Sequence, residues 1–141
     1  LELVSQGLLI FGGCGILDDE DHQPGKVFGD PQAGVSEGAF TLSQKILGGP
    51  LDEQRGRAID AGPLTHVHPL ATPFLLVHGT ADRSIPIAQT ERFAAALMTA
   101  GVPVRTQSVD GADHFYGAIP TGALDALVDE TTDFLLDAVA R

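Results

Sequence analysis

The stretch PFLLVHGTADRSIPIAQTERFAAALMTAGVPVRTQSVDGADH, residues 73–114, decides the fold of this chain. Its apolar run at 73–78 is bounded by turn-forming residues, which is typical of a strand covered on both faces in a parallel sheet. Pro86 suits the first turn of a helix, apolar residues then recur at helical spacing, and Gly101 is a typical stop signal. Residues 102–109 alternate apolar and polar side chains, so we predict a second strand there.

A closing amphipathic helix is predicted over residues 121–140. Its apolar residues recur at helical spacing and are Leu124, Leu127, Val128, Thr131, Leu135 and Ala138. Residues 73–140 are therefore predicted to run strand, helix, strand, helix, and a right-handed crossover makes the two strands parallel. In such α/β sheets, ligands bind outside the carboxyl ends of the strands. Asp82 and His114 follow the two predicted strands and are expected at that edge of the sheet.

Asp82 and His114 together have the chemistry of an acid–base pair. An aspartate that accepts the Nδ1–H of a histidine fixes the ring tautomer and stabilises the imidazolium formed during turnover. The free ring nitrogen can then act as general base toward a serine or cysteine nucleophile. The order of aspartate before histidine is also that of the last two triad members in α/β-hydrolases. We therefore predict Asp82 and His114 as catalytic residues.

Two segments resemble known enzymes. Residues 73–97 closely resemble the acid-bearing stretch of α/β-hydrolase esterases, and residues 101–104 with 111–115 resemble their histidine-bearing stretch. The resemblance is strongest to feruloyl-esterase-like carboxylesterases, and weaker to prolyl-oligopeptidase-type peptidases and dienelactone hydrolases. It implies a serine esterase with an α/β-hydrolase fold, in which Asp82 is the triad acid and His114 the triad base.

The resemblance also implies a domain organisation. It covers residues 65–140 well and extends loosely back to residue 4. In the family, the nucleophile elbow and the glycine-rich oxyanion loop precede the strand that we predict at residues 7–11. Residues 1–141 are therefore expected to be the C-terminal part of a single α/β-hydrolase domain. Residues 16–62 are expected to form an irregular, lid-like insertion.

Two residues within the chain are alternative nucleophiles. Ser36 lies in a G-x-S-x-G pattern, but no strand is predicted before it, and a nucleophile elbow needs a strand on one side and a helix on the other. Cys14 follows a predicted strand, and dienelactone hydrolases use a cysteine. No helix is predicted behind Cys14, however, and a helix N-terminus is one feature that lowers a thiol pKa. Asp113 is the rival of Asp82, because it is adjacent to His114.

Composition excludes several other classes of protein. A chain of 141 residues is the size of one domain, and its net charge of −11 makes nucleic acid an unexpected partner. No apolar run approaches the ~18 residues of a membrane span. The single cysteine, Cys14, excludes an internal disulfide framework, and the pair His66 and His68 lacks a third metal ligand. No dinucleotide or phosphate-binding glycine motif is present, so we expect no cofactor.

The sequence therefore predicts a carboxylic ester hydrolase acting on a small-molecule ester. We expect the nucleophile to come from an upstream half of the domain or from a partner chain. Two alternatives stay open within the same family, a serine peptidase of prolyl-oligopeptidase type and a small self-sufficient hydrolase that uses Ser36. A third, from a different class, is a non-catalytic association domain that retains a remnant of the hydrolase fold and pairs through an exposed sheet edge.

Overall fold

The computed structural model describes residues 44–50, 53–117, 119 and 122–140. Residues 44–47 form one helical turn. The elements that follow are helix α1 (Arg55–Ala61), a 3-10 helix (Pro63–His66), strand β1 (Phe74–Gly79), helix α2 (Ile87–Thr99), strand β2 (Val104–Val109) and helix α3 (Ala123–Val139). The predicted strand at 7–11 and the alternative nucleophiles Cys14 and Ser36 lie outside the described residues.

The two strands form a parallel pair, as predicted. They run in register from Phe74 opposite Val104 to Gly79 opposite Val109. Since successive side chains of a strand point to opposite faces, each face of this small sheet presents one alternate set of residues. The strand–helix–strand–helix order predicted for residues 73–140 is confirmed.

Each face of the sheet carries its own hydrophobic cluster. On the α2 side, the buried residues are Leu76, Phe93, Ala94, Leu97 and Val102. On the α3 side, they are Leu75, Val77, Val109, Ala112 and Phe134. Because β1 contributes to both clusters, it is buried on both faces, which explains why its residues 74–77 are all apolar.

Helix α2 ends in a Schellman motif that returns the chain to the sheet. Gly101 has φ +77°, and its N–H donates to the carbonyl of Met98 at 3.0 Å. The N–H of Val102 donates to the carbonyl of Leu97 at 2.9 Å. Both side chains of that second pair lie in the same hydrophobic cluster, as is usual for the motif. Gly101 therefore ends the helix, as predicted. At the other end, Pro86 lies one residue ahead of the helix, as its N-cap.

The buried face of α3 differs from the predicted one. Phe134 is the buried residue of the helix, and Ala123 and Leu127 pack beside it. Several residues predicted for the apolar face, namely Leu124, Val128 and Leu135, are exposed. The physical reason is that Phe134, the largest apolar side chain of α3, packs into the cluster on the sheet and thereby determines which side of the helix is covered.

Arg105 of β2 also lies on the α3 side of the sheet and contacts this helix. Its guanidinium donates to Asp137, lies 3.5 Å from a carboxylate oxygen of Glu130, and stands 5.8 Å from the centre of the Phe134 ring. The hydrogen bond to Asp137 is the main cause that raises the pKa of Arg105. These ion pairs are exposed, so they add little to the packing of Phe134 that holds α3 on the sheet. Within the described part of the chain, no helix is both long and apolar enough to cross a membrane.

Candidate functional site

Two loops leave the carboxyl ends of β1 and β2 and are held together by hydrogen bonds. The N–H of Thr80 donates to the carbonyl of Val109 at 3.0 Å, and that of Ala81 donates to Ala112 at 2.9 Å. The Thr80 hydroxyl donates to Asp110 at 3.0 Å and accepts from the N–H of Gly111 at 2.9 Å. These bonds bring the residues after β1 against the residues that precede His114.

The close approach of the loops depends on the glycine at the end of β1. A Cβ placed on Gly79 would lie 2.3 Å from the carbonyl oxygen of Ala112, a distance that real side chains do not reach. The same Ala112 carbonyl accepts the hydrogen bond from Ala81. A side chain at position 79 would therefore force the two loops apart.

Asp82 and His114 meet at the point where these loops touch. Nδ1 of His114 donates to Oδ2 of Asp82 at 2.8 Å. The carboxylate is almost entirely buried, with 3% of its side chain exposed, whereas the imidazole is 25% exposed. Since the carboxylate occupies Nδ1, the ring presents Nε2 as its free basic nitrogen, and no residue in the described ranges bonds to it. The geometry suits a histidine that acts as general base with a buried orienting carboxylate.

The other oxygen of Asp82 is held by the backbone of its own loop. Oδ1 accepts the N–H of Ser84 at 2.8 Å and the N–H of Ile85 at 2.9 Å. Burial by itself raises the pKa of Asp82, but the hydrogen bonds from Ile85, His114 and Ser84 outweigh it, so the pKa lies below its ordinary value. Asp82 is therefore a carboxylate at neutral pH, as an orienting acid must be.

This lowered pKa makes a prediction about stability in acid. Because the pKa of Asp82 in the folded chain lies below the ordinary value of 3.8, its ionisation stabilises the fold above that pH. The contribution is lost as the pH falls through 3.8 toward the folded pKa, where the carboxylate becomes protonated in both states. We expect the free energy of unfolding to fall more steeply in this range for the wild type than for Asp82→Asn. Urea unfolding at a series of pH values measures this free energy for both proteins. If it fell equally steeply with pH in the wild type and in Asp82→Asn, the prediction would be contradicted.

Asp113, the rival acid, is occupied within its own loop. Its Oδ1 accepts the N–H of Phe115 at 3.1 Å and the N–H of Gly117 at 2.9 Å. These bonds cap the turn that follows His114 and leave Nδ1 of the histidine to Asp82. Asp113 is therefore placed to shape the loop that carries His114.

Two aromatic residues follow His114 and lie in different environments. Phe115 is 83% exposed and packs edge-on against the imidazole, with ring centres 5.1 Å apart. Tyr116 adopts φ +57°, packs against the cluster beneath α3, and has a buried hydroxyl without a partner among the described residues. Burial is the main cause that raises the pKa of Tyr116, and the charge of Asp82 adds to it.

The remaining described histidines do not form a metal site. Nε2 of His66 lies 2.6 Å from the carbonyl oxygen of Asp60, and His68 is exposed. Among the described residues, no group of three or more metal-ligating side chains comes together. His78 is different, because it is buried and its Nε2 lies 3.6 Å from Oδ2 of Asp82. His78 is not among the residues predicted for the site, although it lies four residues before Asp82 in the sequence.

Two parallel strands flanked by helices, with a buried aspartate bonded to a histidine at their carboxyl ends, are features of an α/β-hydrolase. A model of the prolyl oligopeptidase family matches residues 35–140, and the chain belongs to that family. The predicted fold class is confirmed by a thermophilic esterase from Thermogutta terrifontis, solved with propionate bound. Its structure matches with a TM-score of 0.53 and 25% identity, over 61% of this chain and 34% of the esterase.

Similarity to each of two curated proteins covers about half of the chain. Esterase LipQ of Mycobacterium tuberculosis is 34% identical over 76 residues, which are 53% of this chain and 18% of LipQ. The non-reducing polyketide synthase adrD of Penicillium roqueforti is 36% identical over 72 residues, which are 48% of this chain and 3% of the synthase. The chain thus spans less than a fifth of the length of either relative. The finer resemblance to feruloyl-esterase-like enzymes stays a prediction.

Proposed function

We propose that this chain supplies the acid and the base of a Ser-His-Asp triad in a carboxylic ester hydrolase. Asp82 is the acid and His114 the base. The observation that carries the proposal is the 2.8 Å hydrogen bond between Nδ1 of His114 and the buried carboxylate of Asp82. The membership of a serine hydrolase family and the similarity to two esterases support it.

The proposed reaction is acyl transfer through a serine. Nε2 of His114 takes the proton of the serine hydroxyl as its oxygen forms a bond to the ester carbonyl carbon. His114 then gives that proton to the departing alcohol as the ester C–O bond breaks, and water repeats the sequence to release the acid. Asp82 keeps Nδ1 protonated and stabilises the positive imidazolium that forms in each half-reaction. Backbone donors of an oxyanion hole, each worth about 3–4 kcal/mol, complete such a site.

We propose that the nucleophile and the oxyanion donors belong to a preceding half of the same domain or to a partner chain. The chain covers 34% of the matched esterase. The rest of a complete domain of that kind is therefore long enough to contain the nucleophile and the oxyanion donors. In this proposal residues 1–141 are the C-terminal part of the domain, and residues 16–62 form an insertion in it. The two residues within the chain that could replace an outside nucleophile are Ser36 and Cys14.

An oxygen ester is the substrate class we favour, because the esterases among the similar proteins carry that activity in their names. A peptide substrate is the second candidate, and the observation that favours it is the match to the prolyl oligopeptidase family over residues 35–140. The acid–base pair serves both reactions equally, since amide and ester cleavage share the same triad chemistry. The substrates must therefore be compared directly.

The test measures hydrolysis of p-nitrophenyl acetate and butyrate and of a prolyl p-nitroanilide. The 141-residue chain is assayed alone and together with the protein segment encoded before Leu1. Activity that needs the added segment and disappears in His114→Gln would support the proposal. Activity of the chain alone that disappears in Ser36→Ala or Cys14→Ser would contradict the proposed outside nucleophile. Inactivity in both settings would favour the non-catalytic association domain.

A further inference from the structure

A buried histidine lies directly behind the proposed triad acid. His78 is the fifth residue of β1, and 2% of it is exposed. Its Nδ1 lies 2.7 Å from the hydroxyl of Thr90 on α2, and its Nε2 lies 3.2 Å from the carbonyl oxygen of Ile85. Both ring nitrogens are therefore satisfied within the core, one by Thr90 of α2 and the other by Ile85 of the Asp82 loop.

These contacts assign the tautomer of His78. The carbonyl of Ile85 can only accept a hydrogen bond, so Nε2 of His78 carries the hydrogen. Nδ1 of the neutral ring is then an acceptor, and the hydroxyl of Thr90 donates to it. Thr90 is buried, so few other groups can replace it as the donor. The hydroxyl thus selects the form of the ring that donates toward the Asp82 loop.

The Nε2–H of His78 acts on the same residue that holds Asp82. Ile85 accepts from His78 through its carbonyl, and its N–H donates to Oδ1 of Asp82 at 2.9 Å. Nε2 of His78 also lies 3.6 Å from Oδ2, the oxygen that accepts from His114. The Nε2–H group of His78 therefore lies beside the carboxylate on its inner side while it bonds to the Ile85 carbonyl. A continuous series of contacts runs from Thr90 through His78 to the loop and its acid.

We propose that His78, kept in its Nε2–H tautomer by Thr90, is a positioning residue for Asp82. It closes the loop around the carboxylate, so that one oxygen is held by backbone N–H groups and the other is left for His114. This inference rests on the proposed function, because it gives His78 its role through the triad acid. His78 itself does not touch the reacting atoms.

The test follows the Asp82–His114 hydrogen bond by NMR, so it does not require hydrolysis. The full chain is labelled with ¹⁵N, and long-range spectra of the imidazole nitrogens report which ring nitrogen of His78 carries hydrogen. The low-field proton on Nδ1 of His114 reports the charge-assisted bond to Asp82. Its exchange rate with water measures how firmly that bond is held.

Thr90→Val is the main variant, because valine has nearly the shape of threonine but lacks the hydroxyl. We expect His78 to lose its single tautomer and the His114 proton to exchange roughly two- to tenfold faster, as the loss of one supporting hydrogen bond predicts. Thr90→Ser keeps the hydroxyl and should restore slow exchange. Thr99→Val is the matched control, because it removes an exposed hydroxyl of the same helix, which bonds to Ala95 at 2.8 Å. It should leave both signals unchanged.

The outcomes separate this inference from the proposed function. If His78 changes its tautomer in Thr90→Val while the His114 proton exchanges at the wild-type rate, the positioning role is wrong and the acid–base pair stands. Equal acceleration in Thr99→Val would show a general loosening of α2 and would also overturn it. If the wild-type chain shows no low-field His114 proton, the Asp82–His114 pair itself is wrong and the role of His78 falls with it.

Discussion

Asp82→Asn is expected to lower kcat/KM for ester hydrolysis by roughly 10³–10⁴-fold while the fold stays intact. The asparagine carbonyl oxygen can still accept from the N–H groups of Ser84 and Ile85, which hold Oδ1 of the aspartate at 2.8 and 2.9 Å. The amide nitrogen then replaces Oδ2 and donates to Nδ1 of His114. That reverses the histidine tautomer, so Nε2 carries a hydrogen and is no longer a base.

The matched control for this variant is Asp113→Asn. Asp113 is adjacent to His114 and also accepts two backbone N–H groups, but it does not bond to the imidazole. We expect its kcat/KM to stay within about tenfold of the wild type, because the asparagine carbonyl oxygen can still accept from both N–H groups and the imidazole is not its partner. The assay uses the complete system that hydrolyses p-nitrophenyl butyrate. Equal losses in the two variants would remove Asp82 from its proposed role as the orienting acid.

Gly79→Ala is expected to lower the free energy of unfolding by about 3 kcal/mol. The added Cβ would stand 2.3 Å from the carbonyl oxygen of Ala112 and 2.8 Å from its carbonyl carbon. These are backbone atoms, so no side-chain rotation relieves the contact. The strand end must separate from the loop before His114, which breaks the 2.9 Å bond between Ala81 and Ala112. The same displacement should abolish the low-field His114 proton.

Gly56→Ala is the control for the same substitution. Gly56 lies in α1 with nothing within 4 Å of an added Cβ, so the alanine meets no obstacle there. Because alanine has the higher helix propensity, we expect the variant to gain roughly 0.5 kcal/mol in the free energy of unfolding. Urea unfolding compares the two variants directly. A Gly79→Ala chain as stable as the wild type would show that the two loops can separate at little cost.

Much of the described fold could be predicted from local sequence. The run at 74–77 is apolar without interruption because β1 is covered on both faces, and Gly101 ends α2 because a left-handed residue is needed there. The face of α3 could not be predicted in the same way. Its apolar residues are spread around much of the helix, and only the packing of Phe134 into the cluster with Leu75, Val77 and Val109 shows which side meets the sheet.

The candidate site was only partly predictable. Asp82 and His114 follow consecutive parallel strands, so the sequence places them at one edge of the sheet without fixing the distance between them. Asp113 was a rival on sequence grounds because it is adjacent to the histidine. Its own loop uses its carboxylate, a contact that depends on a turn geometry that the residue types do not specify.

The sequence by itself determined the order of strands and helices, the parallel pairing, and the residue types that carry acid–base chemistry. These follow from hydrophobic periodicity and chain connectivity, which are local properties. Only the tertiary structure decided that His114 bonds to Asp82, and that His78 and Thr90 stand behind that carboxylate. The reason is physical: a hydrogen bond needs its two groups aligned within about 3 Å. Such alignment arises from the packing of α2 and two loops against the sheet, and no short stretch of sequence encodes it.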